Sequence, residues 1–129
     1  MNKLVKTVNS DNLNYEFLRS LNGILKLTDR ELELLTKLIE IDSKFDPTLG
    51  YSKNITSTEN RKMIKKVLGI TPDNLSRYLT KFKQEGLIVK GKSDDEMVVN
   101  KILMPEIIKD RVQLTIILKI NDDEQIKNS

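Results

Sequence analysis

The chain has no cysteine and no histidine among its 129 residues. Without cysteine there is neither a disulfide framework nor a thiolate metal site. Without histidine there is no zinc site of the usual kind and no imidazole base. Carboxylate-only metal ligation would need a loop motif, and none is present. No apolar run approaches the length of a membrane span, and the first residues do not read as a signal peptide. The expectation is a cytoplasmic protein with no metal or other cofactor and no membrane partner. A chain of this length makes one domain, residues 1–129, with a core that needs no staples.

Excess charge is also scarce. The net is +3, and its distribution says more than its size. Residues 51–92 carry ten Lys or Arg against three Asp or Glu, a net of +7, while the remainder carries twelve against sixteen, a net of −4. A nucleic-acid binder gathers its charge in this way. Lysine, asparagine and isoleucine are frequent throughout, as in the coding sequences of AT-rich bacteria and phages, so lysine alone is a weak marker.

The stretch 56–91 organises the chain. Ile64, Val67 and Leu68 recur at spacings of three and four, the stripe of a helix. Gly69 can take the left-handed conformation that ends it. Thr71 then suits an N-cap and Pro72 the first helical position. Leu75, Tyr78, Leu79 and Phe82 give the next helix one apolar face, and Gly86 stops it. Leu87 to Lys90 turns strand-like, a polar connection follows, and Met97 to Asn100 starts a return strand. Helix, tight turn, helix and hairpin is the layout of a helix-turn-helix with a wing.

With Met63-Ile64-Lys65-Lys66-Val67-Leu68-Gly69-Ile70-Thr71-Pro72-Asp73-Asn74-Leu75-Ser76-Arg77-Tyr78-Leu79, then Glu85-Gly86-Leu87-Ile88, the chain resembles the winged helix-turn-helix superfamily of DNA-binding domains. The pattern 27–35 looks like the first helix of such domains, and the likeness covers residues 27–100. It also resembles small phage-encoded winged-helix proteins. The fold class so implied is α+β: a winged helix-turn-helix core with an extra N-terminal helix and a pair of terminal β-strands. Duplex DNA is the implied partner. The fold does not by itself imply that activity, since many winged helices bind protein.

Outside the motif, residues 2–9 alternate weakly and read as a short strand. Residues 10–12 read as a turn or helix cap. Phe17, Leu18, Leu21, Ile24 and Leu25 lie at helical spacing. Thr28 and Glu31 fit a capping box for a helix burying Leu34, Leu35, Leu38, Ile39 and Ile41 and ending near Asp42. Residues 43–54 form a long loop, with Phe45 and Tyr51 to pin it. Pro105 interrupts any long strand, and residues 106–111 suit one helical turn. Val112, Leu114, Ile116, Leu118 and Ile120 alternate with Gln113, Thr115, Ile117 and Lys119, a strong strand signal. That strand, about 112–120, needs a partner: the strand about 2–9, or a sheet edge on another subunit, which would make a homo-oligomer or a larger assembly. The tail 121–129 is polar and should be mobile.

On the second helix of the motif, Asp73, Asn74, Arg77, Thr80, Lys81 and Gln84 turn away from the apolar face. Asn pairs with adenine and Arg with guanine from a helix in the major groove, and Asp73, Asn74 and Arg77 lie in the turns that reach base edges. Lys81 sits nearer phosphate. Arg61, Lys62, Lys65 and Lys66 on the preceding helix, with Lys90 and Lys92 at the base of the wing, add backbone contacts that set affinity. The other reading of these residues is a solvated, lysine-rich face. The wing tip, Asp94-Asp95-Glu96, would repel a phosphate backbone. Either the wing points away from DNA or the partner is a protein, as in a structural component of a phage virion. That carboxylate cluster and Asp122-Asp123-Glu124 lack a convergent partner, and Ser76 and Ser93 lack a base, so the chain does not read as an enzyme.

Overall fold

The computed structural model describes residues 2–122. The protein is α+β, with four helices and a two-stranded antiparallel sheet among the described residues. Helix α1 spans Leu13–Leu25, α2 Asp29–Ser43, α3 Thr58–Leu68 and α4 Pro72–Gln84; strand β1 is Ile88–Lys90 and β2 Met97–Val99. None of the helices among the described residues is long and apolar enough to cross a membrane.

Local sequence chemistry sets the helix ends. Lys26 takes a left-handed conformation after α1. Asn22 then clips the turn, donating to Leu27 O at 3.0 Å and accepting from Leu27 N at 2.8 Å. The predicted capping box opens α2: Thr28 Oγ1 accepts from Glu31 N and Glu31 Oε1 accepts from Thr28 N at 2.9 Å. Each bond satisfies an amide that the helix geometry leaves orphaned.

One core joins these elements. Leu18 and Leu21 of α1 meet Leu34, Leu35, Leu38 and Ile39 of α2, Ile64 of α3 and Leu75, Leu79 and Phe82 of α4. The sheet covers this cluster with Ile88 and Val99, and Leu103 closes it from a single 3₁₀ turn at Lys101–Leu103. Phe82 is fully buried and Tyr78 packs against the same cluster, so the two rings of α4 anchor that helix to the rest.

The hairpin is held on both sides. Ile88 pairs with Val99, Val89 with Val98 and Lys90 with Met97. On the outer side of β2, Met97 N donates to Lys53 O and Ile55 N donates to Met97 O, both at 3.0 Å. This parallel bridge between Asn54 and Met97 stitches the end of the long loop onto the sheet, a connection that periodicity did not announce. Asp42 completes it from the end of α2. Its Oδ2 accepts from Val99 N at 2.8 Å and its Oδ1 pairs with Lys53 Nζ at 3.0 Å. Asp42 lies one turn beyond Leu38 and Ile39 on the buried stripe, and an acid in that register is the one sign of it in the sequence.

Several expectations are corrected. Residues 2–9 and 112–120 form no strand and pair neither with each other nor with the sheet. Alternation supplies strand propensity, but a strand exists only through its partner's hydrogen bonds. Residues 106–111 are not a helical turn but a tight reversal, in which Ile108 and Arg111 exchange backbone hydrogen bonds around a positive-φ Lys109. Val67 and Ile24 are exposed rather than part of their helices' buried stripes. The stripe of α3 passes instead through Met63, Ile64 and Leu68, and that of α1 through Leu18, Leu21 and Leu25. Phe45 and Tyr51 do pack together, edge to face at 6.0 Å, but Tyr51 stays exposed. Residues 10–12 are a 3₁₀ turn leading into α1, and another such turn, Pro47–Leu49, lies within the long loop. The predicted tail beyond residue 122, with Asp123 and Glu124, lies outside the described residues.

Candidate nucleic-acid interface

Helix α3 is capped by Ser57, whose Oγ accepts from Asn60 N at 3.2 Å. Two side chains lock its entry: Asn60 Nδ2 donates to Asn54 O and Arg61 Nε to Thr56 O, both at 2.9 Å. Arg61 therefore serves the backbone of its own turn. At the other end Gly69 has φ +64°, a conformation that strains any residue with a Cβ. Arg30 of α2 reaches across, donating from Nη2 to Leu68 O and from Nη1 to Glu33 at 2.9 Å. The carbonyl end of α3 is thus satisfied from a second helix, which fixes the turn into α4.

Thr71 caps α4 as its position predicts, accepting from Asn74 N at 3.3 Å, with Pro72 first in the helix. Leu75, Leu79 and Phe82 turn inward. Asp73, Ser76, Arg77, Thr80, Lys83 and Gln84 are exposed, and Asn74 is half-buried. Arg77 Nη2 donates to Asn74 Oδ1, so the two candidate base-reading side chains are joined to each other. Thr80 Oγ1 donates back to Ser76 O at 2.9 Å.

Lys81 does not stand free. Its Nζ lies 2.7 Å from Glu31 Oε2, and the Glu31 side chain is only 4% exposed. Burial pushes the Glu31 carboxyl up, but the hydrogen bonds from Lys81 and Thr28 outweigh it and leave the group below its ordinary value. The same hydrogen bond to Glu31 raises Lys81. Lys81 thus joins α4 to the capping box of α2.

The other predicted cations are placed differently. Lys62, Lys66, Lys90 and Lys92 are exposed and Lys65 is half-buried. Among the described residues the cations in ion pairs are Lys6, Arg30, Lys37, Lys53, Lys81 and Arg111. Lys62, Lys65, Lys66, Arg77, Lys83, Lys90 and Lys92 are in none of them.

Two of the three acids in the hairpin turn, Asp95 and Glu96, are bonded within it. Asp95 Oδ1 accepts from Ser93 Oγ at 2.6 Å, and hydrogen bonds from Ser93 and Ser52 hold its carboxyl below the usual range. Glu96 Oε2 accepts from Lys92 N at 3.2 Å. Gly91 makes room for that side chain, because a Cβ there would come within 2.8 Å of Glu96 Cβ. Between this turn and the long loop is an open cleft of about 650 Å³ lined by Asp42, Phe45, Tyr51, Lys53, Lys92 and Glu96. Its acidic groups are taken up by the hydrogen bonds just described. Compared with known family models, curated proteins and solved structures, the chain matches none of them.

Proposed function

We propose that the protein is a non-enzymatic winged-helix DNA-binding protein, a regulator of transcription or replication of phage or bacterial origin. In this reading α3 and α4 are the helix-turn-helix, α4 enters the major groove, and β1 and β2 are the wing. One observation carries it. Among the described residues seven cations between 62 and 92 are in no ion pair, while Glu31, Asp42, Asp95 and Glu96 are already engaged. Unpaired cations retain the charge needed to displace counterions from a phosphate backbone. Asn74 and Arg77 lie in the first turns of α4, where base edges are reached, and their mutual hydrogen bond aligns them as a unit.

The test is binding of the full chain to duplex DNA as a function of salt. Binding at about 50 mM salt, weakening steeply as salt rises, supports the proposal. No binding there would overturn it. A second reading then applies: an assembly component, such as part of a phage virion, that uses the same domain to dock protein. The acidic turn at Asp94, Asp95 and Glu96 favours it, since three carboxylates beside phosphate are repelled.

A further inference from the structure

Residues 112–120 lie in no helix or strand and make no backbone hydrogen bond among the described residues. Ile117, Leu118 and Ile120 are 76%, 85% and 87% exposed, and Leu114 and Ile116 are 39% and 45% exposed. A row of unpaired amides and carbonyls flanked by apolar side chains is an open template for another strand.

The sequence of this arm says which strand fits. Its apolar residues Val112, Leu114, Ile116, Leu118 and Ile120 are spaced symmetrically about Ile116. Paired antiparallel with a copy of itself, Leu114 faces Leu118, Val112 faces Ile120 and Ile116 faces Ile116. On the other face Gln113 meets Lys119 and Thr115 meets Ile117. All the large apolar residues of the even face are then matched on one side, and within 112–120 no like charges oppose. A parallel in-register pairing would set Lys119 against Lys119, which is unfavourable. The chain's own N-terminal arm fits less well. Its even face reads Leu4, Lys6 and Val8, and Lys6 is bound to Glu16 on α1 at 2.5 Å.

From this we infer that residues 112–120 are a dimerisation arm, pairing antiparallel with the same residues of a second copy about a two-fold axis at Ile116. The interface is isologous, as a closed dimer requires. A lone two-stranded ribbon is marginal in water, so its apolar face must be covered. Ile107 and Ile108, which precede the arm in the chain and are exposed, supply apolar side chains for that. The inference does not depend on DNA binding.

Light scattering on the full chain at about 100 μM, well above the dissociation constant of an interface of this class, should give twice 14.9 kDa. Ile116→Lys should give a monomer with unchanged helical circular dichroism, because Ile116 is outside the core. With no native cysteine, the register can be read directly. Ile116→Cys should cross-link to itself under mild oxidation. Leu114→Cys should not, since the two copies of residue 114 would be about 13 Å apart along the ribbon, yet it should cross-link to Leu118→Cys when the two are mixed. A monomeric native chain would overturn the inference and leave a different protein as the arm's partner. So would a dimer that survives Ile116→Lys, or Leu114→Cys that cross-links with itself as readily as Ile116→Cys does.

Discussion

Lys81 Nζ sits 2.7 Å from Glu31 Oε2, so the last turns of α4 are tied to the capping box that opens α2. The carboxylate serves two helices at once, accepting from Thr28 N on one oxygen and from Lys81 on the other. Lys81→Ala should therefore lower the melting temperature, because it leaves a buried carboxylate without its counter-charge. It should leave the salt dependence of DNA binding unchanged. If instead it flattens the salt dependence at constant melting temperature, Lys81 is a phosphate contact and its tie to Glu31 is secondary.

The same pair sets a pH dependence. Glu31 is held below its ordinary 4.5 and Lys81 above its ordinary 10.5. A lowered acid stabilises fully above its unfolded value and loses that contribution as pH falls through the folded one. A raised base stabilises fully below its unfolded value and loses it as pH rises through the folded one. The pair's contribution should thus be constant between about pH 4.5 and 10.5 and fall off on both sides. Comparing urea midpoints of the native chain and Glu31→Gln across pH checks this, since the difference between them should shrink at both extremes.

Arg77 and Asn74 should behave as one reading unit, because Arg77 donates to Asn74 Oδ1. Arg77→Ala should cost about 1–3 kcal/mol at one base pair and relax preference there. In a double-mutant cycle the Arg77 and Asn74 losses should not add, as expected for residues sharing a hydrogen bond. A selection experiment on randomised duplexes reads the preference. Undiminished discrimination in Arg77→Ala would remove that residue from the reading set.

The parts legible in the sequence are those determined within a few residues. Thr28 with Glu31, Gly69, and Thr71 with Pro72 act through their own turns, so the ends of α2, α3 and α4 follow from chemistry visible in any short window. Contacts between distant residues left little trace. Glu31 reads as a capping residue, and nothing nearby shows that its second oxygen meets Lys81. The exposure of Val67 depends on how α3 rolls against α2, which three-and-four spacing does not specify. Residues 112–120 show the opposite failure. Their alternation is strong, yet the strand it predicts is absent from a single chain, because propensity cannot provide the edge it must pair with.

Asp42 should prove a stability residue. It is the hinge between α2, the long loop and the hairpin, bonding Val99 N at 2.8 Å and Lys53 Nζ at 3.0 Å. Asp42→Ala leaves the buried Val99 amide without a partner, a loss of about 1–3 kcal/mol. Asp42→Asn keeps an oxygen for that amide and should cost less. Both should appear as lower urea midpoints at unchanged slope. Equal effects of the two substitutions would show that the charge towards Lys53, and not the bond to Val99, is what matters.

Lys66 offers the cleanest separation of affinity from sequence choice. It is exposed in the last turn of α3 and forms no ion pair among the described residues, so its removal should leave no carboxylate unbalanced and the fold intact. In the proposed binding mode, a cation on the helix preceding α4 meets phosphate rather than base edges. Lys66→Ala should weaken binding to every duplex by a similar factor and reduce the slope of log affinity against log salt by about one. Lys62→Ala should do the same, and the double variant should reduce the slope by about two if each cation releases its own counterion. Titrations of one specific and one random duplex over a range of salt concentrations provide the measurement. A salt slope that stays at its native value in the double variant would place DNA elsewhere on the surface and separate α3 from the interface.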